Sequence, residues 1–325
     1  VISPRLAITV ETHSHGKGIS IVANTPILIT GAGGFVGTHM CRFAAEGNVR
    51  VRAFDFSPER LQVVEAMGGE IYRGDITSYE EVREAVKGVR AVLHLVTAHE
   101  HMPQAAHERI TLGGIRNIVR ACAEHGIRRV LFVSSIKAGR NYPGVYGTTK
   151  RKAEEILGQA DLDLTIFRPA LLYGPGEVRL RTIGDIMQKW RVVPIIGDGS
   201  YVIYPIFVGD LVAAIFKAID VSVTIGKTYE MGGPEALTYD QIMDSLMDRL
   251  GIQALKIHVP LGVCALIARL VQAGSNHPIV FMDQVLAQKA PVKCEITPAR
   301  RDLGFAPMHF RDGLAKYYPE TVNKG

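Results

Sequence analysis

Ile27-Leu28-Ile29-Thr30-Gly31-Ala32-Gly33-Gly34-Phe35-Val36-Gly37 joins a short apolar run to glycines at 31, 34 and 37 and then to a segment with helical spacing. The apolar run predicts a buried strand and the segment 35–46 a helix, so the glycines fall in a strand-to-helix turn. In such a turn Gly31 permits the tight bend, Gly34 lets the backbone approach a pyrophosphate, and Gly37 lets the helix pack close to the strand. The helix N-terminus then offers free N–H groups and a positive dipole to the phosphates. Gly33, Phe35 and Val36 complete the stretch expected to touch a dinucleotide.

Outward from this turn, strand-like and helix-like stretches alternate. Strands are predicted over 49–54, 70–72, 91–95, 129–133 and 164–167. Helices are predicted from Ser57-Pro58-Glu59, from Thr77 or Ser78 through Val86, in a longer stretch ending near Gly126, and over 151–157. Near-continuous apolar strands separated by helices predict an α/β fold, a Rossmann-type doubly wound parallel sheet. Past Tyr173 the pattern loosens around Gly174-Pro175-Gly176 and Gly197-Asp198-Gly199, with a late strand within 223–231. The expected organisation is a loose extension over 1–24, a dinucleotide-binding domain over 25–170, and a smaller, discontinuous substrate lobe over 171–325 whose segments return to the main sheet.

Ligands of such sheets bind beyond the carboxyl ends of the strands, and the remaining motifs fall there. Asp55 closes the second strand, eighteen residues past Gly37. A carboxylate there can accept the ribose hydroxyls of an adenosine and repels a 2′-phosphate, which favours NAD; Arg52 and Arg60 keep NADP open. Phe56 follows it. Asp75 and Ile76 suit an adenine-edge contact, with Asp75 equally suited to helix capping. Leu95, Val96 and Thr97, after His94, are expected to line the cofactor. Ser134, Pro169 and Leu172 complete the expected cofactor-binding set, together with Tyr146 and Lys150.

Tyr146-Gly147-Thr148-Thr149-Lys150 places a phenol and an ammonium four apart, on one face of a helix. A phenol with a pKa near ~10 is a poor base at neutral pH. A nearby ammonium and the positive ring of an oxidised nicotinamide favour its phenolate. The tyrosine can then exchange a proton with an alcohol or ketone while hydride moves to or from the ring. Ser135 would hold the substrate oxygen and stabilise developing charge.

Taken together, Gly31-x-x-Gly34-x-x-Gly37, Asp55, Gly74-Asp75-Ile76, His94-Leu95, Asn117, Ser135, Tyr146-x-x-x-Lys150, Arg168-Pro169, Tyr173-Gly174-Pro175-Gly176 and Asp210 resemble the extended short-chain dehydrogenase/reductases, the NAD-dependent epimerase/dehydratase superfamily. The resemblance spans roughly Pro26 to Tyr318. It implies Ser135, Tyr146 and Lys150 as the catalytic set, with Asn117 as a helix-bending, water-holding partner of Lys150. Nucleotide-sugar epimerases carry an Asn where this chain has Leu171, and a Gln and an Arg where it has Tyr201 and Ile203. Losing those donors argues against a nucleotide-sugar substrate and for a more apolar pocket. Leu162 to Pro169, Gly232-Gly233-Pro234 and Leu237-Thr238-Tyr239 look like bacterial relatives of the 39-kDa NAD(P)H-binding accessory subunit of respiratory complex I.

The 325 residues, 47% hydrophobic and 21% charged with a net charge of +5, fit an ordinary globular protein without a nucleic-acid signature. Cys41, Cys122, Cys264 and Cys294 form no CxxC pair, which points to buried thiols and a cytoplasmic setting. His13 and His15 in the extension, and His99-Glu100-His101 after the fourth strand, are expected to bind no metal. The three residues 99–101 can instead contact substrate or lie in a solvated loop. Arg179 and Arg181 can clamp an anionic substrate or form a solvated basic loop. Trp190 is expected in the lobe core, and Asp210 as the cap of a helix beginning at Leu211. The apolar stretch 259–271 is read as a lobe helix, or else as a surface for a membrane interface or partner. The leading reading is an NAD(P)-dependent oxidoreductase acting on a secondary alcohol or ketone of a small, fairly apolar molecule. The alternatives are an epimerase or dehydratase with retained cofactor, and a non-catalytic NAD(P)H-binding subunit of a membrane-associated complex. A homodimer is compatible with each.

Overall fold

Strand β1 (Ile27–Thr30) is buried along its whole length because it pairs on both sides, with β2 (Val51–Asp55) and with β4 (Ala91–His94). A computed structural model describes residues 25–100, 102–141, 143–260, 262–263 and 293–318. The extension over 1–24 with His13 and His15, His101, Cys264 and most of the apolar stretch 259–271 lie outside the described residues. The main sheet has seven strands in the order β11-β6-β5-β4-β1-β2-β3, and all its pairings are parallel. The remaining members are β3 (Glu70–Arg73), β5 (Arg129–Val133), β6 (Asp163–Pro169) and β11 (Lys227–Met231). This is the doubly wound parallel sheet that the alternation predicts.

Strand order reverses beside β1: β2 and β3 lie to one side, β4 and β5 to the other. The crossover helices diverge there and leave a crevice above the carboxyl ends. Helix α1 (Phe35–Glu46) rises from that point and α2 (Pro58–Glu65) follows β2. Ser57 caps α2, accepting the Arg60 N–H, with Pro58 at its first position. Helices α3 (Tyr79–Val86) and α4 (Gly113–His125) cover one face of the sheet, with α5 (Gly144–Gly158) beside them. Ahead of α4 a π-helical stretch, His107–Leu112, packs against α5.

A third core cluster lies apart from the two sheet faces. It joins Tyr173, Met187, Ile195, Ile242, Leu246, Phe310 and Leu314. It is built from α6 (Val178–Trp190), β8 (Val192–Ile196), α8 (Tyr239–Leu250) and α10 (Phe310–Tyr317). Helix α7 (Val208–Ile219) packs under the main sheet instead, and α9 (Thr297–Leu303) docks on β11.

Two expectations in this part of the chain are corrected. Trp190 is 64% exposed, because it ends α6 on the outer side, with the Lys189 ammonium 5.2 Å from its ring centre. Asp210 does not cap a helix: α7 already begins at Val208, and the Asp210 carboxylate accepts the Met308 N–H at 2.9 Å. Cys41, Cys122 and Cys294 are buried free thiols whose pKa values burial pushes up to about 12. Among the described residues no helix is long and apolar enough to cross a membrane.

Candidate active site

The glycine turn is shaped by contacts that only glycine allows. A Cβ on Gly37 would sit 2.2 Å from the Gly31 carbonyl oxygen and 2.7 Å from Ala32, so α1 leaves the strand at a separation that excludes any side chain. Gly31 adopts φ +74°, and a Cβ there would press on Val96 at 3.2 Å. The Gly33 N–H donates to Asp55 Oδ2 at 3.1 Å, and Asp55 Oδ1 accepts the Ser57 N–H at 3.1 Å. The carboxylate that closes β2 thus holds the glycine loop and the start of α2 together. Beside it Phe56 is 63% exposed, with the Arg60 guanidinium 5.9 Å from its ring centre. Phe35 and Val36 are half-buried in the first turn of α1, where His39 Nε2 lies 2.7 Å from the Pro175 carbonyl. That contact brings the Gly174-Pro175-Gly176 loop over the helix that faces the crevice.

The other expected cofactor residues are held in different states. Asp75 Oδ1 closes a turn by accepting the Thr77 N–H and hydroxyl, and the rest of this exposed side chain faces outward. Ile76 is buried, whereas Leu95, Val96 and Thr97 are half-buried beyond β4. Pro169 ends β6, and Leu172 begins the short strand β7 (Leu172–Tyr173). Ser134 departs from expectation. Its N–H donates to the Phe167 carbonyl and its hydroxyl to Glu154, so the side chain is committed to the interior. The Asn117 amide donates to the Ile76 carbonyl at 2.9 Å and ties α4 to the loop after β3.

Tyr146 and Lys150 lie one turn apart on α5, and Lys150 is 1% exposed. Its ammonium donates to the Val133 carbonyl at 2.9 Å, two residues before Ser135, and stands 4.8 Å from the Phe132 ring centre and 5.9 Å from that of Tyr146. Ser135 opens a 3-10 turn, Ile136–Gly139, its hydroxyl accepting the Lys137 N–H at 3.2 Å. A Cβ on Gly147 would sit 2.8 Å from the Lys137 carbonyl, so this glycine lets α5 close onto the serine turn. Tyrosine, lysine and serine therefore converge at the carboxyl end of β5.

Their electrostatics run against the sequence expectation. Burial raises the Tyr146 hydroxyl above the usual tyrosine range, Glu100 adds to the rise, and Arg179 opposes it. Burial also lowers Lys150 to about 7, with Glu154 pulling the other way. Desolvation is the largest cause of both shifts, because burial disfavours the charged form of each group. His94, fully buried on β4 with Nδ1 2.7 Å from the Thr30 hydroxyl, is lowered to about 3 by burial and by Lys150. It adds no positive charge beneath the site near neutral pH.

Two side chains escaped the sequence reading, Glu154 and Lys137. Glu154, one turn after Lys150, accepts the Ser134 hydroxyl and two guanidinium bonds from Arg168, making a buried bracket behind the serine turn. Its signals were the four-residue spacing from Lys150 and the Arg168-Pro169 pair. On the other side, Glu100 meets Lys137 Nζ at 2.9 Å and Arg179 at 3.9 Å, and Lys137 Nζ is 5.8 Å from the Tyr146 ring centre.

A family model described as NAD(P)H-binding matches residues 31–190, which carry the glycine turn, Asp55, Ser135, Tyr146 and Lys150. The chain is 27% identical to the 2-alkyl-3-oxoalkanoate reductase of Stenotrophomonas maltophilia, over 89% of this chain and 97% of that protein. It is 26% identical to subunit 9 of the NADH dehydrogenase [ubiquinone] 1 alpha subcomplex of Arabidopsis thaliana, a mitochondrial protein, over 72% of this chain but only 60% of that relative's length. Among solved structures, UDP-glucuronic acid 4-epimerase from Bacillus cereus, in complex with UDP-glucuronic acid and NAD, superposes with a TM-score of 0.73 at 18% identity, over 90% of this chain and 98% of the other. At that identity the likeness is one of fold.

Proposed function

We propose that this chain, whose parallel sheet and NAD(P)H-binding match fit an extended short-chain dehydrogenase/reductase, reduces a ketone on a small, fairly apolar molecule, or oxidises the corresponding secondary alcohol. The observation that carries the reading is the convergence of Tyr146, Lys150 and Ser135 at the carboxyl end of β5, beside the strand-order reversal. The ketone-reducing activity named for the Stenotrophomonas relative supports it. The 25–170 segment is read as the cofactor domain, and the third core cluster as the substrate lobe.

The cofactor, when bound, supplies or accepts the hydride. The glycine turn and the N-terminus of α1 hold its phosphates, Asp55 its adenosine ribose, Phe56 and Asp75 flank its adenine, and Val96 and Thr97 line its path toward Tyr146. The raised Tyr146 keeps its proton through the neutral range, so it enters the reaction as an acid. That proton passes to the carbonyl oxygen as hydride reaches the carbonyl carbon, giving the alcohol. The Ser135 hydroxyl orients the same oxygen. Lys150 fixes the nicotinamide ribose and, once protonated there, steadies charge on the phenol oxygen. The test is net NAD(P)H oxidation against a panel of apolar ketones, expected with the purified protein. Tightly retained cofactor with substrate isomerised and no net change would instead make it an epimerase.

The carboxylate of Asp55 favours NAD. Asp55→Asn is expected to weaken NADH binding roughly tenfold, about the worth of one charge-assisted hydrogen bond, and to narrow the preference over NADPH. Fluorescence titration with the two reduced cofactors reads this, and an unchanged NADH-to-NADPH ratio removes Asp55 from the ribose. A second reading follows from the similarity to the mitochondrial NADH dehydrogenase subunit: a bound nucleotide that is never turned over. Cells lacking the protein and fully rescued by Tyr146→Phe would establish it.

A further inference from the structure

Three charged side chains from three separate segments gather over Tyr146. Glu100 comes from the loop after β4, Lys137 from the turn after β5, and Arg179 from the first turn of α6. Lys137 Nζ lies 2.9 Å from one Glu100 oxygen, and Arg179 stands at 3.9 Å from the other, a loose contact. Arg179 also reaches Glu177 at 3.2 Å, but the Glu177 carboxylate is already occupied in capping α6, where it accepts the Arg179 and Leu180 N–H groups. Two cations thus share the single carboxylate of Glu100, and Arg179 is 54% exposed. Farther along the chain the rings of Tyr201 and Tyr239 stack at 5.1 Å, and the charge of Arg179 acts on the Tyr239 hydroxyl.

We infer that the substrate is an organic acid whose carboxylate, close to the reacting carbon, displaces Glu100 from Lys137 and Arg179. The inference rests on the ketone or alcohol reading above and names the class of molecule that reading leaves open. A fork-shaped guanidinium and an ammonium preassembled on one carboxylate form a receptor for another. Glu100 keeps the two cations in place and neutralised until the substrate arrives. Lys137, with its Nζ 5.8 Å from the Tyr146 ring centre, sets the anion within a short chain of the carbonyl, as in a 2- or 3-oxo acid.

The experiment pairs each acid with a neutral twin. Steady-state reduction of 3-oxooctanoate is compared with that of its methyl ester, and calorimetric binding of octanoate with that of octanamide, both on the cofactor-loaded protein. The acid is expected to exceed the ester in kcat/KM by about tenfold or more, a charge-assisted contact being involved. In Arg179→Met and Lys137→Met that acid-to-ester ratio is expected to collapse, mainly through KM. In Glu100→Gln, which removes the competing carboxylate, the KM for the acid is expected to fall. Equal turnover of acid and ester, or a ratio unmoved in both cation variants, overturns the carboxylate site while leaving ketone reduction intact. Should neither compound be reduced, the ketone reading fails by itself, and the octanoate-to-octanamide comparison still decides the clamp: equal binding ends it.

Discussion

Tyr146→Phe is expected to lower kcat by roughly 10²- to 10⁴-fold, the range in which a positioned acid or base contributes to proton transfer. Cofactor affinity should change little. The ring remains, and with it the edge contact to His107 at 6.3 Å and the neighbouring ammonium groups of Lys137 and Lys150. Only the hydroxyl leaves, and no contact that shapes the glycine turn runs through it. A loss in kcat without a matching loss in NADH binding is the signature of an interaction made in the transition state. The pH profile supplies a second check. Because burial and Glu100 both raise this phenol, ketone reduction should hold its rate across the neutral range and fall only on the alkaline side. Rapid turnover by the Phe variant would remove Tyr146 as the acid of the reaction.

What could be read from the chain beforehand was whatever the backbone itself imposes. The β1 run and the glycine turn are local, and Gly37 announces its role because any side chain there meets a carbonyl oxygen at 2.2 Å. Helix α5 was harder. The side-chain periodicity marks it only over 151–157 and the Tyr146–Lys150 spacing carries it one turn further back, whereas it begins at Gly144, because Gly147, Thr148 and Thr149 have weak helix propensity. Packing of Gly147 on the serine turn overrides that propensity. The roles of Ser134 and Asn117 could not be read at all. Each depends on where a second segment lies: Glu154 one helix away for the serine, and the Ile76 carbonyl 41 positions back for the asparagine. The Tyr146–Lys150 spacing was legible, but the sign of the phenol's shift was not. Spacing reports neighbours and says nothing of the solvent they lose.

That lost solvent bears on Lys150 most. Its ammonium is buried and lowered to about 7, against ~10.4 for an unfolded lysine. Between these values the unfolded chain holds a proton that the folded chain has released, so stability due to this group rises with pH. Below about pH 7 both states hold the proton and the burial cost is present in full; above about pH 10.4 neither does and it is gone. Lys150→Met removes the titration. The stability of the variant minus that of the native chain is therefore expected to be most favourable in mild acid. It should shrink by up to roughly 1.4 kcal/mol per pH unit between about pH 7.5 and pH 9.5. Methionine also leaves the Val133 carbonyl without the lysine's donor, at a cost of about 1–3 kcal/mol that does not vary with pH. The informative quantity is thus the slope, taken from urea unfolding of both proteins at each pH. Parallel stability curves would show that the lysine keeps its proton in the folded chain, and the buried, half-titrated ammonium would be wrong. A converging pair, with turnover abolished in the variant, would mean that the fold tolerates an unfavourable buried cation at the one place where the reaction requires it.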